Sequence, residues 1–320
     1  MEKILVTGAA GFVGSHMLEF LIERGLIAHG VDRKQTRRDN IAHLAGKYLH
    51  HEADLTDFVA TLALLREVQP HRIFHLAAQS FVPASWRAPE ETLRTNIIAQ
   101  LNLLEACREL RLSPKFQIAG SSEEYGLVKV DEIPIKETNP LRPLSPYAVS
   151  KVAQDMLGYQ YHKSYGLKIY RTRAFNHTGP RHNDAFVTSN FARQIAEIET
   201  GKREPVILVG NLEAKRDFSD IRDIVKAYDI ALEMCDYGDV YNIGSDRMFR
   251  IRDILNVLMG FTGPDIQVKE EPDRMRPSDV PALVCDSSKF REKTGWQPVI
   301  PLEKTLEDLL DYWRSKLKKA

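Results

Sequence analysis

Several features that would place a protein in a specialised class are missing from this sequence of 320 residues. It has no run of about 18 apolar residues, so we expect no membrane span. Its N-terminal apolar run is short and interrupted by glycine, so we expect no signal peptide. Only three cysteines occur, too far apart for a zinc site or a disulfide scaffold: Cys107, Cys235 and Cys285. Few, scattered cysteines favour a reducing compartment, so we predict a cytoplasmic protein without a metal site.

An excess of charge of either sign is also missing. The 44 Lys and Arg residues balance the 44 Asp and Glu residues, which gives a net charge of zero. This balance provides no electrostatic reason to expect a nucleic acid or an anionic membrane as partner. The apolar fraction of 43% and the charged fraction of 28% are ordinary for a globular protein that buries a sizeable core.

What the sequence does contain is an alternation of two hydrophobic periods. Short apolar runs that predict strands alternate with segments of helical periodicity, which indicates an α/β fold with a doubly wound parallel (Rossmann) sheet. After a proline-rich loop, Ser145 is the expected N-cap of a helix and Gly166 its expected end. The predicted strands are 4–6, 27–31, 48–52, 72–77, 116–119, 206–209 and 240–243, and the predicted helices are 12–25, 56–68, 91–110, 146–165, 220–234, 250–260 and 302–317.

The chain has no internal repeat and no low-complexity linker. We expect residues 1–174 to form mainly a dinucleotide-binding domain. Residues 175–320 are expected to form mainly a smaller, interleaved C-terminal lobe that binds substrate. Elements near 205–245 are predicted to return to the first domain.

Three glycines follow the first predicted strand directly, at Gly8, Gly11 and Gly14. Glycine lets a backbone approach a pyrophosphate, and the N-terminus of the following helix offers N–H groups and a positive dipole. At the end of the second strand, Asp32 is suited to a ribose 2′-hydroxyl and Arg33 to a 2′-phosphate, so both NAD and NADP stay open as the cofactor. After the third strand, Asp54 and Leu55 are placed either to meet the adenine or to form a plain surface turn.

A tyrosine four residues before a lysine places both side chains on one face of a helix. The ammonium group would stabilise the phenolate and lower the pKa of the tyrosine, which then serves as an acid or base. The pattern occurs four times, at Tyr125/Lys129, Tyr147/Lys151, Tyr159/Lys163 and Tyr312/Lys316. We select Tyr147/Lys151, because its helix begins after the fifth strand, beyond whose carboxyl end ligands collect, and because Ser121 lies at that strand end.

Taken together, these motifs resemble the extended short-chain dehydrogenase/reductases of the nucleotide-sugar branch. The matching residues span the chain: T-G-A-A-G-F-V-G at 7–14, H-L-A-A at 75–78, Ser121, Y-A-V-S-K at 147–151, R-D-F at 216–218 and R-P-S-D at 276–279. The resemblance implies that Ser121, Tyr147 and Lys151 are catalytic and that Tyr147 and Lys151 also contact an NAD(P)H cofactor. It further implies cofactor contacts from Phe12, Val13, Leu76, Ala77 and Ala78. It also implies a homodimer that pairs helices near 91–110 and 146–165.

The segments F-N-H-T-G-P at 175–180 and F-V-T at 186–188 resemble enzymes of GDP-linked 6-deoxyhexoses. A GDP-linked 6-deoxyhexose is therefore the expected substrate. Arginine suits its diphosphate through paired hydrogen bonds, although a single arginine is more often part of a surface ion pair. The substrate contacts that the resemblance implies are Ser122, Glu123, Asn176, Val187, Asn190, Arg216 and Arg276.

Within this group the segment A-G-S-S-E-E-Y-G at 119–126 is compatible with two reactions. One is the reduction of the C4 keto group of GDP-4-keto-6-deoxy-D-mannose to GDP-D-rhamnose, and the other is 4,6-dehydration of GDP-mannose with Glu123 as an additional acid or base. Three departures from the dehydratase pattern favour the reductase: Phe12-Val13 in place of Gln-Asp, Ser189-Asn190 in place of Arg-Lys, and H-T-G-P after Asn176. An epimerase and a non-catalytic dinucleotide-binding protein stay as further alternatives. We expect the neighbouring Glu124 to face away, since adjacent residues of an extended segment point in opposite directions.

Overall fold

The computed structural model describes residues 2–263, 265–274, 280 and 282–318. Its strands are β1 Lys3–Thr7, β2 Ile27–Asp32, β3 Leu49–Glu52, β4 Arg72–His75, β5 Lys115–Ser121, β6 Ile169–Ala174, β7 Asn176–Thr178, β8 Val206–Val209, β9 Lys215–Arg216, β10 Phe218–Asp220, β11 Val240–Ile243, β12 Phe249–Arg250, β13 Gln267–Glu270 and β14 Ala282–Leu283. Its α-helices are α1 Phe12–Glu23, α2 Phe58–Val68, α3 Val82–Arg87, α4 Pro89–Leu93, α5 Ala99–Glu109, α6 Pro146–Tyr165, α7 Val187–Glu199, α8 Ile221–Met234, α9 Ile251–Gly260, α10 Ser288–Thr294 and α11 Leu302–Lys318. Within the described ranges, no helix combines the length and the apolar character needed to cross a membrane.

The centre of the molecule is a sheet of seven strands in the order β3-β2-β1-β4-β5-β6-β11. All neighbouring strands in it run parallel. Helices α1, α8 and α10 contribute to the apolar cluster on one face, and α2, α5 and α6 to the cluster on the other. The predicted doubly wound sheet is therefore confirmed, and all catalytic candidates from β5 and the start of α6 lie at its carboxyl edge.

Strand β6 was not predicted from the sequence, because its residues I-Y-R-T-R-A include two arginines. Both are buried in the structure, where Arg171 and Arg173 form ion pairs with Asp155 of α6. Burial of an arginine is tolerated when a carboxylate neutralises it and hydrogen bonds satisfy it. A central strand can therefore carry charge that a hydrophobic pattern does not reveal.

Helix α6 carries the selected tyrosine and lysine, and its ends are those that the sequence predicts. The Ser145 hydroxyl accepts a hydrogen bond from the N–H of Ala148 at 3.1 Å, which caps the first turn. Gly166 ends the helix in the left-handed conformation with φ of +70°, which glycine adopts at little cost. The helix between 91 and 110 is less regular than predicted, since a π-turn over Arg94–Ile98 precedes α5.

The smaller lobe is built on helices α7, α9 and α11, whose apolar faces share one core. The prediction that residues 205–245 return to the first domain is wrong for the first strand of that range. Strand β8 pairs with β13, and its Ile207 and Val209 are buried in the core of the small lobe. Helix α8 and strand β11 do join the central sheet and its covering layer.

Candidate functional site

The glycine loop between β1 and α1 leaves a cradle that side chains would fill. Gly8 has φ of +66°, and a Cβ atom added to it would lie 2.9 Å from the Cα of Ala77. A Cβ atom on Gly14 would lie only 2.1 Å from the carbonyl oxygen of Gly8. Among the described residues, no side chain caps the N-terminus of α1 at Gly11. This arrangement fits a pyrophosphate, which helix N-terminal N–H groups bind.

Thr7 fixes the strand ends beside this cradle, although the sequence analysis did not single it out. Its hydroxyl accepts hydrogen bonds from the N–H groups of Leu76 and Ala77, both at 3.0 Å, and lies 3.0 Å from Nδ1 of His75. The only sequence signal for Thr7 is its position before Gly8. Burial, together with the nearby charge of Lys151, lowers the pKa of His75 to about 3. His75 is therefore neutral at physiological pH.

Asp32 holds the glycine loop from the end of β2. Both of its carboxylate oxygens lie 3.1 Å from the N–H of Ala10, and burial raises its pKa. Arg33 is exposed beside it, and Leu55 is buried. The carboxylate of Asp54 accepts a hydrogen bond from the N–H of Thr56 at 2.9 Å, as in a surface turn. Contacts of these residues with a ribose or an adenine stay predictions.

Ser121, Tyr147 and Lys151 meet at the carboxyl edge of the sheet. Tyr147 and Lys151, in the first turns of α6, are 8% and 5% exposed. The Lys151 ammonium donates a hydrogen bond to the carbonyl oxygen of Ala119 at 2.8 Å and lies 5.9 Å from the ring centroid of Tyr147. The side chain of Ser121 lies close enough to Tyr147 to lower the pKa of the phenol. The three groups that the sequence assigns to catalysis are therefore brought together.

The electrostatics of this group differ from the prediction. Burial raises the pKa of Tyr147, a hydrogen bond with Ser121 opposes that rise, and the charge of Glu123 adds to it. Burial lowers the pKa of Lys151 to about 8. The predicted lowering of the Tyr147 pKa by Lys151 is therefore wrong for this structure, because the ammonium is bound to Ala119 and desolvation dominates the phenol. A phenol that keeps its proton at neutral pH is suited to donate it.

The other three tyrosine–lysine pairs have different surroundings. Tyr125 is fully buried and donates a hydrogen bond to Asn242 at 2.6 Å. Tyr159 is 44% exposed on α6. Lys316 donates a hydrogen bond to the Tyr312 hydroxyl at 3.2 Å at an exposed position of α11. The spacing alone therefore does not single out one pair, and the selection of Tyr147 and Lys151 by their strand-end context stays a prediction.

A short 3-10 helix over Ser122–Glu124 shapes the chain after β5. The Ser121 hydroxyl accepts the N–H of Glu123 at 3.2 Å, and the Glu124 carboxylate accepts the N–H of Ser121 at 2.8 Å. The expectation of an extended segment is wrong, and with it the reason given for the direction of Glu124. Glu124 is fully buried beneath Ser121, Ser122 is 2% exposed, and Glu123 is half-buried near Tyr147.

The predicted substrate residues are spread over several elements of the small lobe. Asn176 begins β7, which pairs with β10. The side chain of Asn190 accepts a hydrogen bond from Arg274 at 3.0 Å, and Arg216 is buried with a hydrogen bond to the carbonyl oxygen of Lys215 at 2.9 Å. Val187 begins α7 and is 37% exposed.

Arg276 lies outside the described residues. Substrate contacts of the residues in this lobe stay predictions.

Three stacked rings join the glycine loop to the small lobe, and we call them the ring stack: Phe12, His182 and Phe186. The centroids of Phe12 and His182 are 4.1 Å apart with nearly parallel planes, and those of His182 and Phe186 are 4.4 Å apart. Burial holds the pKa of His182 well below its usual value, so the ring is neutral. His182 escaped the sequence analysis, because no local pattern links it to a residue 170 positions earlier.

Asn96 is a further buried residue that the sequence did not reveal. Its amide nitrogen donates hydrogen bonds to the Ser150 hydroxyl at 2.8 Å and to the carbonyl oxygen of Gln79 at 3.1 Å. Its oxygen accepts the N–H of Gln79 at 2.8 Å. The π-turn that carries Asn96 thus ties the catalytic helix α6 to the loop after β4.

Known proteins share this architecture over the full length of the chain. A solved structure of RMD from Pseudomonas aeruginosa complexed with NADPH superposes with a TM-score of 0.85 at 30% identity, covering 99% of this chain and 100% of the other. The UDP-glucose 4-epimerase of Thermus thermophilus in complex with NAD gives a TM-score of 0.87 at 31% identity, covering 98% and 99%. Proteins with this fold and different reactions are thus equally similar in shape.

The relatives found by sequence similarity cover a narrower range of reactions than the similar structures do. The chain is 31% identical over 319 residues to the GDP-6-deoxy-D-mannose reductase of Pseudomonas aeruginosa, with 99% of each protein covered. It is 33% identical over 350 residues to the GDP-mannose 4,6-dehydratase of Yersinia enterocolitica, covering 97% of this chain and 93% of the relative. The family model described as GDP-mannose 4,6 dehydratase matches residues 5–309. The chain therefore belongs to the GDP-mannose 4,6 dehydratase family, in the nucleotide-sugar branch of the extended short-chain dehydrogenase/reductases.

Proposed function

We propose that the protein reduces the C4 keto group of GDP-4-keto-6-deoxy-D-mannose with NAD(P)H and releases GDP-D-rhamnose. The observation that carries this proposal is the buried Tyr147 phenol, which lies beside Ser121 and Lys151 at the same edge of the sheet as the glycine cradle. A protonated phenol at this position can give its proton to a carbonyl oxygen that is being reduced. The full-length similarity to a GDP-6-deoxy-D-mannose reductase supports the choice of substrate.

The residues that would hold the dinucleotide are those of the cradle. Gly8, Gly11 and Gly14 leave room for the pyrophosphate against the N-terminus of α1, and Asp32 fixes the loop that surrounds it. NADPH is the first cofactor to test, because the similar Pseudomonas aeruginosa structure is complexed with it. When bound, the reduced nicotinamide supplies the hydride, and the protein supplies position and protons.

The three catalytic side chains have separate tasks in the proposed reduction. As hydride reaches C4 of the sugar, Tyr147 gives its proton to O4, so the C=O bond becomes a CH–OH group. Ser121 donates a hydrogen bond to the same oxygen and stabilises the charge that develops on it. Lys151 lies 5.9 Å from the Tyr147 ring, and its positive charge favours the phenolate that remains after proton transfer. Solvent then returns the proton to Tyr147.

A second candidate function is the 4,6-dehydration of GDP-mannose. The specific observation in its favour is that Glu123 lies close enough to Tyr147 for its charge to raise the pKa of the phenol. A carboxylate at this position could remove the proton from C5 of the sugar and assist loss of the C6 hydroxyl. The similarity to GDP-mannose 4,6-dehydratases supports this candidate as well.

Two incubations separate the candidates. The purified protein is mixed with GDP-mannose and NADP⁺ in one, and with GDP-4-keto-6-deoxy-D-mannose and NADPH in the other, and products are identified by mass spectrometry. A reductase leaves GDP-mannose intact and converts the keto sugar into a product heavier by two hydrogen atoms. Loss of one water from GDP-mannose, with the keto sugar left unreduced, would overturn the reductase proposal and support the dehydratase. Bound cofactor without turnover in either mixture would favour a non-catalytic binding protein.

We also propose a homodimer that pairs α5 and α6 with their copies. Three large apolar side chains on α6 support it, since Val149, Met156 and Tyr159 are each more than 40% exposed. Exposed apolar groups on one helix are typical of an interface. Light scattering after gel filtration should give twice the chain mass, and Met156→Glu should give a monomer. A monomeric wild-type protein would contradict the proposal.

A further inference from the structure

We infer that Glu124, not the neighbouring Glu123, is the residue that positions Ser121 for the reaction. The inference rests on the proposed function, because it assigns Ser121 to the reacting carbonyl. Oε1 of Glu124 lies 2.8 Å from the backbone N–H of Ser121, and the Ser121 hydroxyl accepts the N–H of Glu123 at 3.2 Å. These two hydrogen bonds form a capping box around a single turn.

The capping box restricts the directions in which the serine hydroxyl donates. One lone pair of the hydroxyl oxygen is taken by the N–H of Glu123, which leaves the proton the remaining positions around the oxygen. Ser121 also lies close enough to Tyr147 to lower the pKa of the phenol. The hydrogen bond from the Ser121 N–H to Glu124 fixes the backbone that carries the hydroxyl. Glu124 thus acts through Ser121 and is a positioning residue.

The glycine before Ser121 makes room for this carboxylate. A Cβ atom added to Gly120 would lie 2.5 Å from Oε1 of Glu124 and 2.6 Å from the carbonyl oxygen of Thr172. Both distances are far shorter than a nonbonded contact allows. The sequence Gly120-Ser121 therefore permits Glu124 to fold back under the strand end, which another residue at position 120 would prevent.

Arg173 makes the burial of Glu124 possible. The Nε atom of Arg173 lies 3.1 Å from Oε2 of Glu124, while its hydrogen is donated to Asp155 at 3.1 Å. Burial and then the charge of Asp155 raise the pKa of Glu124 to about 8, against the opposing effects of Arg173, the Ser121 N–H and Lys151. A buried carboxyl group without such partners would be strongly disfavoured. Arg173 thus helps to hold Glu124 where it accepts the hydrogen bond from the Ser121 backbone.

Two conservative variants separate the hydrogen bond from the carboxyl group. Glu124→Gln keeps a side-chain oxygen at the correct length to accept the Ser121 N–H but has no carboxyl group. Glu124→Asp keeps the carboxyl group but is one methylene too short to reach that N–H. We expect kcat of Glu124→Gln to stay within about threefold of wild type and kcat of Glu124→Asp to fall roughly tenfold to a hundredfold, with KM changed less than about threefold. Equal rates for the two variants, or a faster Glu124→Asp, would overturn the inference.

Asp155→Asn is the matched control, because Asp155 binds the same Arg173 without touching Ser121. We expect it to lower the melting temperature as Glu124→Asp does and to leave kcat within about threefold of wild type.

A second control adds Glu124→Asp to Ser121→Ala. If Glu124 acts through the serine hydroxyl, the double variant is no slower than Ser121→Ala alone, and a full further loss would contradict the inference. Should Glu124→Asp fail to fold, Glu124→Met replaces it, since methionine has the same length and no oxygen.

Hydrogen exchange at the Ser121 amide provides a readout that does not depend on the reaction. Exchange should be faster in Glu124→Asp than in Glu124→Gln, and equal rates would overturn the inference.

The measurements of kcat and KM use whichever of GDP-mannose and GDP-4-keto-6-deoxy-D-mannose the wild-type protein converts. Failure to reduce the keto sugar would overturn only the proposed function. If neither sugar is converted, amide exchange alone decides the role of Glu124.

Discussion

The two halves of the candidate site are built from different parts of the chain. The cofactor half is made of backbone, since Gly8 and Gly14 pack so closely that neither position has room for a Cβ atom. The half that is predicted to bind substrate contains contacts between side chains, such as the pair Asn190–Arg274, and the ring stack joins it to the glycine loop. The first half therefore depends on glycines that leave no room for a side chain, and the second half depends on contacts between side chains.

The largest effect is expected where the two halves meet, at Tyr147. Tyr147→Phe removes the proton donor and keeps the ring, so we expect kcat to fall by about 10²- to 10⁴-fold, with NADPH affinity and melting temperature little changed. NADPH oxidation at saturating keto sugar measures the effect. Tyr159→Phe on the same helix is the control, because Tyr159 is exposed and lies outside the site, and it should keep the wild-type rate. An active Tyr147→Phe enzyme would mean that another group supplies the proton.

The next largest effect tests the steric half of the comparison. A Cβ atom at Gly14 would lie 2.1 Å from the Gly8 carbonyl oxygen, so Gly14→Ala must displace the cradle. We expect it to abolish measurable NADPH binding and to lower the free energy of unfolding by about 2 kcal/mol or more. Gly260→Ala is the control, since no atom lies within 4 Å of its added Cβ, and it should leave both quantities near wild type. Unchanged NADPH affinity in Gly14→Ala would contradict the assigned cradle.

The same contrast explains what could be predicted from the sequence. Elements with a local cause were predicted correctly: α6 begins at its Ser145 cap and ends at Gly166 in the left-handed conformation. Of the first five strands, β1, β2, β4 and β5 follow from short apolar runs, whereas β3 carries two histidines. Strand β6 was missed, because its arginines are stabilised by Asp155, a partner that only the folded chain provides. Local sequence was sufficient to predict helix caps and turns, and it was insufficient to predict a strand that buries charged residues.

The candidate site shows the same division. Ser121, Tyr147 and Lys151 were selected from the order of strands and helices, and the structure brings them together, while their catalytic roles stay predictions. The roles of the two glutamates could not be derived, because the segment after β5 is a 3-10 turn and not an extended strand. The raised pKa of Tyr147 was also not predicted. Whether burial outweighs a nearby ammonium group can be judged only when the depth of the site is known.

A smaller effect is expected at the ring stack, in which His182 of the small lobe stacks on Phe12 of the glycine loop. His182 is buried with a lowered pKa, so below the usual histidine pKa of 6.5 the unfolded chain binds a proton that the folded chain does not. Stability therefore falls as pH falls below about 6.5, by up to about 1.4 kcal/mol per pH unit for one proton. His182→Phe keeps a stacked ring without this proton, so the slope of unfolding free energy between pH 6.5 and 5 should decrease by about that amount. Urea unfolding across this range measures the slope, and an unchanged slope would mean that His182 titrates normally.

The smallest effect is expected at Glu123, the residue on which the choice between the two reactions depends. In a reductase Glu123 takes no part in proton transfer, so Glu123→Gln should keep kcat within about threefold of wild type. Its charge raises the pKa of Tyr147, so removing that charge should move the alkaline limb of the rate profile to lower pH, by less than about one unit. Glu67→Gln, at a position 72% exposed and remote from the phenol, should move neither quantity. A loss of about 10³-fold in Glu123→Gln would instead show that this carboxylate transfers a proton, and the substrate half would then belong to a dehydratase.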